Sequence, residues 1–550
     1  MALYKLPNDS VHWYINELTS RIVAQSGIPT DRYHLGKMIL QSLKDAPDFI
    51  MQINGATGVS ETNGSVLNRS VRCAISLHNM GLRTGDVMVL MAPNHNNLII
   101  PFYAAFYLGI AVECVDRTLR VLELEQTFAV SRPKVVFCQS ERATDVQLAL
   151  NELHLSSHII TFDGGDYLFS YQEFLDKYGD ESAVEEFKPT DFNAEETFGL
   201  LITTSGTTGL PKCTAVTQKN FAITAPYLWG RHSNFPSPTR MVLIASPIQW
   251  LTALINIIIS PILRVTILMS YKPINQEHMY ELINIYRPTF VILSPTLMTT
   301  LIKPDDRDRC DFTSFELILI GGSAVPQELI NELKVIAPNA EIMNTYGMSE
   351  LNGIGFYGVP SPSGSCGKPL GCFFYRIVNV DTQEDILEPN IAGELWIKGP
   401  GLFKEYYNNP EATEESYAEN GWFKTGDMFY RDENWNYFFV ERIKLLLKYK
   451  SYQISPVEIE LLIRQHPSVL DVAVTSIPDS ECGDLPLACV VTKTGCEVSK
   501  QEIKDLVREN LSDPKQLRGG VIFMNELPLT ASTKVHRRNL KEMVLHMDRE

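Results

Sequence analysis

An α/β fold is predicted by the sequence, with a large N-terminal domain of parallel-rich sheets flanked by helices and a small α+β C-terminal domain. Apolar, β-rich runs alternate with helical patterns through most of the chain, which is typical of largely parallel sheets. The 550 residues exceed what one hydrophobic core usually serves. After about Trp396 loop signals and then a charge-rich tail appear, so we expect domains at 1–441 and 442–550.

The individual strands and helices are predicted from apolar runs and their period. A buried strand is expected at 87–91 and an apolar helix at 98–108. Further strands are predicted at 135–137, 159–162, 242–245, 290–293 and 317–320, and further helices at 276–286 and 327–336. Ligands in such folds gather at loops that leave the carboxyl ends of strands, so functional residues are expected in those loops.

The apolar stretch 243–263 carries no charge over 21 residues, which is long enough to span a bilayer. Pro247 and Pro261 interrupt it, however, and both disfavour one continuous helix. A buried strand at 241–246 followed by a buried helix at 251–260 is the preferred interpretation.

The composition excludes some classes of function. A formal net charge of −17 disfavours a general nucleic-acid binder, which needs clustered Lys and Arg. The 10 cysteines are scattered without zinc-ligand spacing, which indicates buried thiols in a reducing compartment. The N-terminus lacks a secretory pattern and the last three residues are not a peroxisomal signal, so a cytoplasmic protein is expected.

The segment 203–212, Thr-Thr-Ser-Gly-Thr-Thr-Gly-Leu-Pro-Lys, directly follows an apolar run at 198–202. Its two glycines permit a tight turn with exposed N–H groups, and its hydroxyls and Lys212 suit a polyphosphate. Pro211 before the lysine excludes a Walker A loop. A flexible linker is the alternative, but linkers rarely end in Gly-Leu-Pro-Lys between apolar strands. The candidate phosphate-binding residues are Thr204, Ser205, Gly206, Thr207, Thr208, Gly209 and Lys212.

This loop resembles the signature loop of the acyl-adenylate-forming superfamily, which includes acyl-CoA synthetases, 4-coumarate–CoA ligases and beetle luciferases. The resemblance covers most of the chain and is nearest to the insect luciferase-like branch. It implies ATP, Mg²⁺ and coenzyme A as cofactors, a small-molecule carboxylic acid as substrate, and no nucleic acid or transmembrane segment.

Asn-Thr-Tyr-Gly-Met-Ser-Glu at 344–350 resembles the second core motif of that superfamily. The resemblance implies that Tyr346 packs on adenine, Ser349 contacts the phosphates and Glu350 holds Mg²⁺. An aromatic face and a hard carboxylate suit these roles, although alone the motif could be a common turn. The remaining nucleotide-side residues implied are Asn344, Thr345, Gly347 and, in the strand-to-helix turn 321–324, Ser323 and Ala324.

Three later segments complete the resemblance. Trp-Phe-Lys-Thr-Gly-Asp at 422–427 implies that Asp427 binds the ribose hydroxyls, and Arg442 would contact ribose or phosphate. Lys444 would be the hinge, and Lys448 lies in the segment after it. Leu-Pro-Leu-Thr-Ala-Ser-Thr-Lys at 527–534 implies that Lys534 completes the adenylation site. Each segment alone could be an ordinary turn or solvated charge, but the ordered set favours the family.

The implied mechanism has two steps. The substrate carboxylate attacks the α-phosphate of ATP and pyrophosphate leaves, after which the small domain turns about Lys444 and a thiol attacks the acyl-adenylate. The residues implied as catalytic are Lys534, Lys212, Glu350 and Lys448.

Five positions depart from the superfamily pattern. Cys213, Ser451 and Thr533 stand where glycine is customary, and Ser451 would lie near the path of the thiol. Trp250 replaces a histidine near the carboxylate, and Thr345 stands where glycine commonly opens the acyl pocket. With Gly322, these last two residues would form a reshaped pocket for a fatty or aryl acid.

Three functions are therefore compared. An acid–CoA ligase is the leading prediction. A luciferase-like monooxygenase that oxidises its adenylate is the second, and a catalytically weak binding homologue is the third. The joint presence of Lys212, Glu350, Asp427, Arg442 and Lys534 disfavours the third, because a protein that only binds has little need of all five charges.

Overall fold

The computed structural model describes most of the chain. The residues outside the described set are 1–9, 166–168, 182–183, 205–211, 230–239, 303–306, 323–324, 326, 358–361, 381, 444–446, 451, 455, 494, 529–534, 536 and 548–550.

The described helices are α1 (Ser10–Ser26), α2 (Leu35–Asp45), α3 (Asn63–Asn79), α4 (Ile99–Leu108), α5 (Val121–Ser131), α6 (Ser140–Glu152), α7 (Tyr171–Tyr178), α8 (Gln218–Trp229), α9 (Leu251–Leu263), α10 (Gln276–Tyr286), α11 (Pro295–Leu301), α12 (Gln327–Ile336), α13 (Pro410–Ser416), α14 (Pro456–Ile463), α15 (Lys500–Asn510) and α16 (Arg537–Val544).

The described strands are β1 (Ile50–Asn54), β2 (Ser60–Thr62), β3 (Val87–Met91), β4 (Ala111–Cys114), β5 (Val135–Cys138), β6 (His158–Thr161), β7 (Phe198–Thr204), β8 (Lys212–Thr217), β9 (Arg240–Leu243), β10 (Val265–Met269), β11 (Phe290–Leu293), β12 (Leu317–Gly321), β13 (Glu341–Thr345), β14 (Gly347–Met348), β15 (Gly353–Ile354), β16 (Phe356–Tyr357), β17 (Lys368–Pro369), β18 (Phe374–Val378), β19 (Gly393–Lys398), β20 (Glu405–Tyr406), β21 (Tyr417–Ala418), β22 (Trp422–Arg431), β23 (Tyr437–Arg442), β24 (Leu447–Tyr449), β25 (Tyr452–Ile454), β26 (Val469–Asp479), β27 (Gly483–Thr492) and β28 (Gly520–Phe523).

Two seven-stranded sheets carry the large domain. One has the order β13-β12-β11-β9-β10-β1-β2 and is parallel except for the β1–β2 pair. The other has the order β20-β8-β7-β4-β3-β5-β6 and is parallel from β7 to β6. An antiparallel sheet of β18, β19, β21, β22 and β23 follows. The predicted parallel-rich α/β architecture is confirmed.

A separate small sheet forms the C-terminal domain. Its order is β25-β24-β27-β26, with β28 parallel to β27. Helices α14 and α15 contact one another, α14 also contacts β26, and α15 contacts β28, so the sheet and the two helices share one apolar core. This is the predicted α+β domain, while its boundary at residue 442 stays a prediction.

Two buried apolar helices, one from each large sheet, contact one another. Every residue of α4 is buried, and so is α9 from Ala253 onward, as expected for helices that are apolar on all sides. Helix α4 follows β3 in one sheet and α9 follows β9 in the other. They meet where the hydroxyl of Tyr103 donates to the carbonyl of Ile257 at 2.7 Å.

The strand-then-helix interpretation of 243–263 is therefore confirmed. The predicted strand bounds of 241–246 are wrong, because β9 spans Arg240–Leu243 and the chain reaches the surface at Pro247. In the described part of the chain no helix combines the length and hydrophobicity that a bilayer span requires. The predicted end of the helix at Ser260 is wrong, because α9 continues through Pro261 to Leu263. Ile262 and Leu263 are both buried, and this burial outweighs the hydrogen bond that the proline removes.

Candidate active site

The predicted phosphate loop joins two antiparallel strands. Strand β7 ends at Thr204 and β8 begins at Lys212, and these two residues are paired across the ladder. The hydroxyl of Thr204 donates to the carbonyl of Lys212 at 3.1 Å, which closes the base of the loop. The remaining predicted phosphate ligands lie outside the described residues: Ser205, Gly206, Thr207, Thr208 and Gly209.

Tyr406 links the predicted phosphate lysine to the predicted metal ligand. It lies on β20, which pairs with β8 beside the loop. Its hydroxyl donates to Oε1 of Glu350 at 2.8 Å, and Nζ of Lys212 lies 4.8 Å from the centre of its ring. Two residues that are far apart in the sequence, Lys212 and Glu350, therefore contact the same side chain.

The environment of Glu350 fits a divalent cation. The residue is buried, in the short 3-10 turn Ser349–Leu351. Burial, and next the carboxylate of Glu350, raise the pKa of the Tyr406 phenol well above its usual range, so Tyr406 remains a hydrogen-bond donor. A fixed carboxylate that shares an ion with phosphate oxygens is how Mg²⁺ is usually held. The residues present thus fit Mg²⁺, which would be held by Glu350.

Tyr346 and Asp427, predicted for adenine and ribose, lie together. The hydroxyl of Tyr346 donates to Oδ2 of Asp427 at 2.7 Å, and its ring meets Phe429 edge-on with 4.8 Å between centroids. Asp427 is almost fully buried on β22, directly opposite Arg442 on β23. This pairing of the two backbones fits the prediction that Asp427 binds the ribose and that Arg442 contacts the ribose or a phosphate.

The end of β12 approaches β13 so closely that only glycine fits. A Cβ on Gly321 would lie 2.4 Å from the carbonyl oxygen of Thr345. Gly322 then takes φ +89°, in the region that favours glycine. Nζ of Lys448 donates to the carbonyl of Gly322 at 3.0 Å, so the structure brings this predicted catalytic lysine to the predicted acid pocket. Ser323 and Ala324 lie outside the described residues.

Three further residues of the motif at 344–350 were predicted to lie beside the nucleotide. Asn344 donates through Nδ2 to the carbonyl of Ser365 at 3.2 Å, and the adjacent Thr345 is buried with no hydrogen-bond partner for its hydroxyl among the described residues. A Cβ on Gly347 would lie 2.5 Å from the carbonyl oxygen of Gly353, so glycine is required there.

Ser349 is half-buried at the start of the turn that carries Glu350. Trp250 immediately precedes α9 and meets Tyr452 of the C-terminal domain, with 5.8 Å between ring centroids. The hinge residue Lys444 and the closing Lys534 lie outside the described residues.

Two residues beside the phosphate loop, Tyr406 and Glu113, were not predicted from the sequence. Tyr406 precedes the loop signal Asn-Asn-Pro at 408–410, and a tyrosine beside a turn has no sequence signal that indicates a functional role. Glu113 is fully buried on β4 and accepts a hydrogen bond of 2.7 Å from the hydroxyl of Thr203, at the base of the phosphate loop. A single acid inside the apolar run 110–115 was the signal that could have identified it.

Glu113 gives a stability prediction. Burial raises its pKa to about 7 from an ordinary 4.5, so the native protein holds a proton that the unfolded chain releases. The free energy of unfolding should therefore fall by about 3 kcal/mol as the pH rises from about 4.5 to 7. The slope is about 1.4 kcal/mol per pH unit. Glutamine can accept the same bond from Thr203 without titrating. Urea unfolding of wild type and Glu113→Gln should show the two stabilities diverging over this range, in favour of the variant; a constant difference contradicts the prediction.

The sequence is similar to proteins of known family. Residues 41–407 match the model of the AMP-binding enzyme family, and residues 458–534 match that of the AMP-binding enzyme C-terminal domain. The chain is 30% identical over 503 residues to a luciferin 4-monooxygenase of Nipponoluciola cruciata, covering 89% of this chain and 90% of that protein. It is 29% identical over 525 residues to 4-coumarate-CoA ligase 1 of Narcissus pseudonarcissus, covering 93% of this chain and 94% of that protein.

A solved structure shares the fold. The o-succinylbenzoate CoA synthetase of Bacillus subtilis superposes with a TM-score of 0.80 at 24% identity, covering 92% of this chain and 98% of that one.

Proposed function

The chain belongs to the family of AMP-binding enzymes, and on that premise we propose that it is an ATP-dependent carboxylic acid–CoA ligase that acts through an acyl-adenylate. The main support is the meeting of separate motifs around Tyr406, which contacts both Lys212 and Glu350. The similarity to a 4-coumarate-CoA ligase over nearly the whole chain supports the thioester product.

In the first half-reaction, the substrate carboxylate attacks the α-phosphorus of ATP, and the bond to pyrophosphate breaks. Lys212 and the loop amides bind the phosphates and neutralise charge, while Tyr346 and Asp427 hold the nucleoside. Mg²⁺ bound at Glu350 would supply further neutralisation of the leaving pyrophosphate. Lys534 would stabilise the charge that builds between carboxylate and α-phosphate.

In the second half-reaction, the sulfur of coenzyme A attacks the acyl carbon and AMP leaves. We propose that the C-terminal domain, from residue 442, turns about Lys444 between the two steps. Lys448 would then replace Lys534 at the site. Its hydrogen bond to Gly322 supports this role, since that glycine borders the proposed acid pocket.

The acid is proposed to be fatty or aryl. Trp250 and Thr345 stand at the proposed pocket, and α9 directly behind Trp250 is apolar and buried. An aromatic ring and an apolar wall favour an apolar acyl group over a polar one.

A luciferase-like monooxygenase is the second candidate, supported by the similarity to luciferin 4-monooxygenases. In that reaction the acyl-adenylate would be oxidised by oxygen instead of being captured by a thiol. The departures at Trp250 and Thr345 from the residues customary in that branch weigh against it.

One assay compares these functions. Pyrophosphate release is measured with ATP and Mg²⁺ across fatty, aryl and phenylpropanoid acids, with and without coenzyme A. We expect acid-dependent release and a CoA thioester as product. Light with luciferin, ATP and oxygen would favour the monooxygenase. If no acid causes release and calorimetry detects no ATP binding, the proposed ligase is wrong.

A further inference from the structure

A cluster of three charged residues joins the C-terminal domain to the large domain. Nζ of Lys515 lies 2.6 Å from Oε1 of Glu123 and 2.8 Å from Oε1 of Glu458. Glu123 lies on α5 of the large domain, whereas Glu458 is on α14 and Lys515 is in the 3-10 turn Asp513–Lys515, both in the C-terminal domain. The lysine therefore binds one carboxylate in each domain.

The cluster is shielded from water. The side chains of Lys515, Glu123 and Glu458 are 16%, 3% and 10% exposed. Charge pairs in such surroundings are weakly screened, so each carboxylate interacts strongly with the ammonium of Lys515. Oε2 of Glu123 also accepts a hydrogen bond from the backbone N–H of Arg120 at 2.9 Å, which caps α5. The carboxylate is thus fixed in place for Lys515.

Two further contacts between the domains lie at the candidate active site. Lys448 donates to the carbonyl of Gly322, and Tyr452 meets Trp250. Strand β25, which carries Tyr452, also contacts the turn that carries Lys515, so these contacts belong to one face of the C-terminal domain.

Rotation of the C-terminal domain affects the two carboxylates differently. Lys515 and Glu458 move together, so their bond survives a change of orientation. The bond from Lys515 to Glu123 exists only when the domain is oriented as in this structure, with Lys448 at Gly322. Glu123 therefore favours one orientation over the other, whereas Glu458 favours neither.

We propose that Glu123 is a positioning residue for thioester formation: by binding Lys515 it holds the C-terminal domain in the orientation that brings Lys448 to the acid pocket. This inference rests on the two-step function proposed above. Glu123 touches no reacting atom and acts through the orientation of Lys448.

Glu123→Gln and Glu458→Gln form a matched pair of tests. Glutamine preserves the cap of α5, because it serves at the same position of a capping box. Glu123→Gln is expected to slow thioester formation from supplied acyl-adenylate by about tenfold, through a smaller population of the competent orientation. ATP-dependent pyrophosphate release should stay close to the wild-type rate. Glu458→Gln, which keeps the bond between domains, should preserve both rates; equal losses in the two variants would overturn the proposal.

A second measurement needs no substrate. Of the 10 cysteines, eight are buried, Cys482 is half-buried and Cys496 is exposed in the C-terminal domain. A dye on Cys496 and a second on Ser156→Cys, at an exposed position of the large domain, report the distance between domains by single-molecule energy transfer. Glu123→Gln should depopulate the main wild-type distance and Glu458→Gln should not.

Identical distance distributions for wild type and Glu123→Gln would refute the positioning role. This result is independent of the ligase assay: absence of acid activation would refute the proposed function, while the energy-transfer comparison would still decide whether Glu123 holds the domain.

Discussion

Replacing Lys534 by alanine is expected to abolish adenylate formation while sparing thioester formation from supplied acyl-adenylate. In the proposed first step the ammonium group faces the substrate carboxylate and the α-phosphate, where negative charge builds in the transition state. Removing one such group typically lowers kcat by about 10²–10³-fold. In the proposed second step the C-terminal domain takes the other orientation, in which Lys534 would be withdrawn from the site. Pyrophosphate release measures the first step, and thioester production from synthetic acyl-adenylate measures the second.

Lys493→Ala is the matched control for this change. Lys493 is an exposed lysine of the same domain, and its ammonium donates to the carbonyl of Pro467 at 2.7 Å. It follows the end of β27 that is farthest from Gly483, the residue of that strand that pairs with Tyr449. This variant should retain both half-reactions. If Lys534→Ala releases pyrophosphate at the control rate, or loses both half-reactions together, the role proposed for Lys534 is wrong.

The regular elements were largely predictable, because each is encoded by a local apolar pattern. The predicted 87–91 and 290–293 strands coincide with β3 and β11, and the predicted 276–286 helix coincides with α10. The end of α9 was not predictable in the same way. A proline signals a helix end locally, but the burial of Ile262 and Leu263 between the two large sheets overrides it.

The contacts of the candidate site depend on pairings that no local pattern contains. The motif around Glu350 could be recognised from its own residues, but the hydroxyl of Tyr406 reaches it only because β20 pairs with β8. Likewise, Glu113 meets Thr203 because β4 lies beside β7. Sequence motifs thus predict which side chains carry the chemistry, and the register of distant strands decides which neighbours hold them.

Glu350→Gln is expected to lower the rate of pyrophosphate release by about 10²-fold, as for loss of one preorganised electrostatic group. A neutral amide is a poorer ligand for a hard cation than a carboxylate. Glutamine can still accept the hydrogen bond from Tyr406, so the buried surroundings are preserved and the change isolates the charge. The measurement is the rate as a function of Mg²⁺ concentration, together with calorimetry of ATP binding with and without Mg²⁺.

Tyr406→Phe separates the charge of Glu350 from its placement. This variant keeps the carboxylate but removes the donor that fixes Oε1. If the hydroxyl of Tyr406 only positions the carboxylate of Glu350, Tyr406→Phe should weaken the dependence of the rate on Mg²⁺ less than Glu350→Gln does, because the carboxylate is retained. If Glu350→Gln binds ATP with an unchanged dependence on Mg²⁺, Glu350 is not the metal ligand. If Tyr406→Phe is the more damaging of the two, the hydroxyl of Tyr406 contributes more than the placement of Glu350, because phenylalanine keeps the ring against which the ammonium of Lys212 lies.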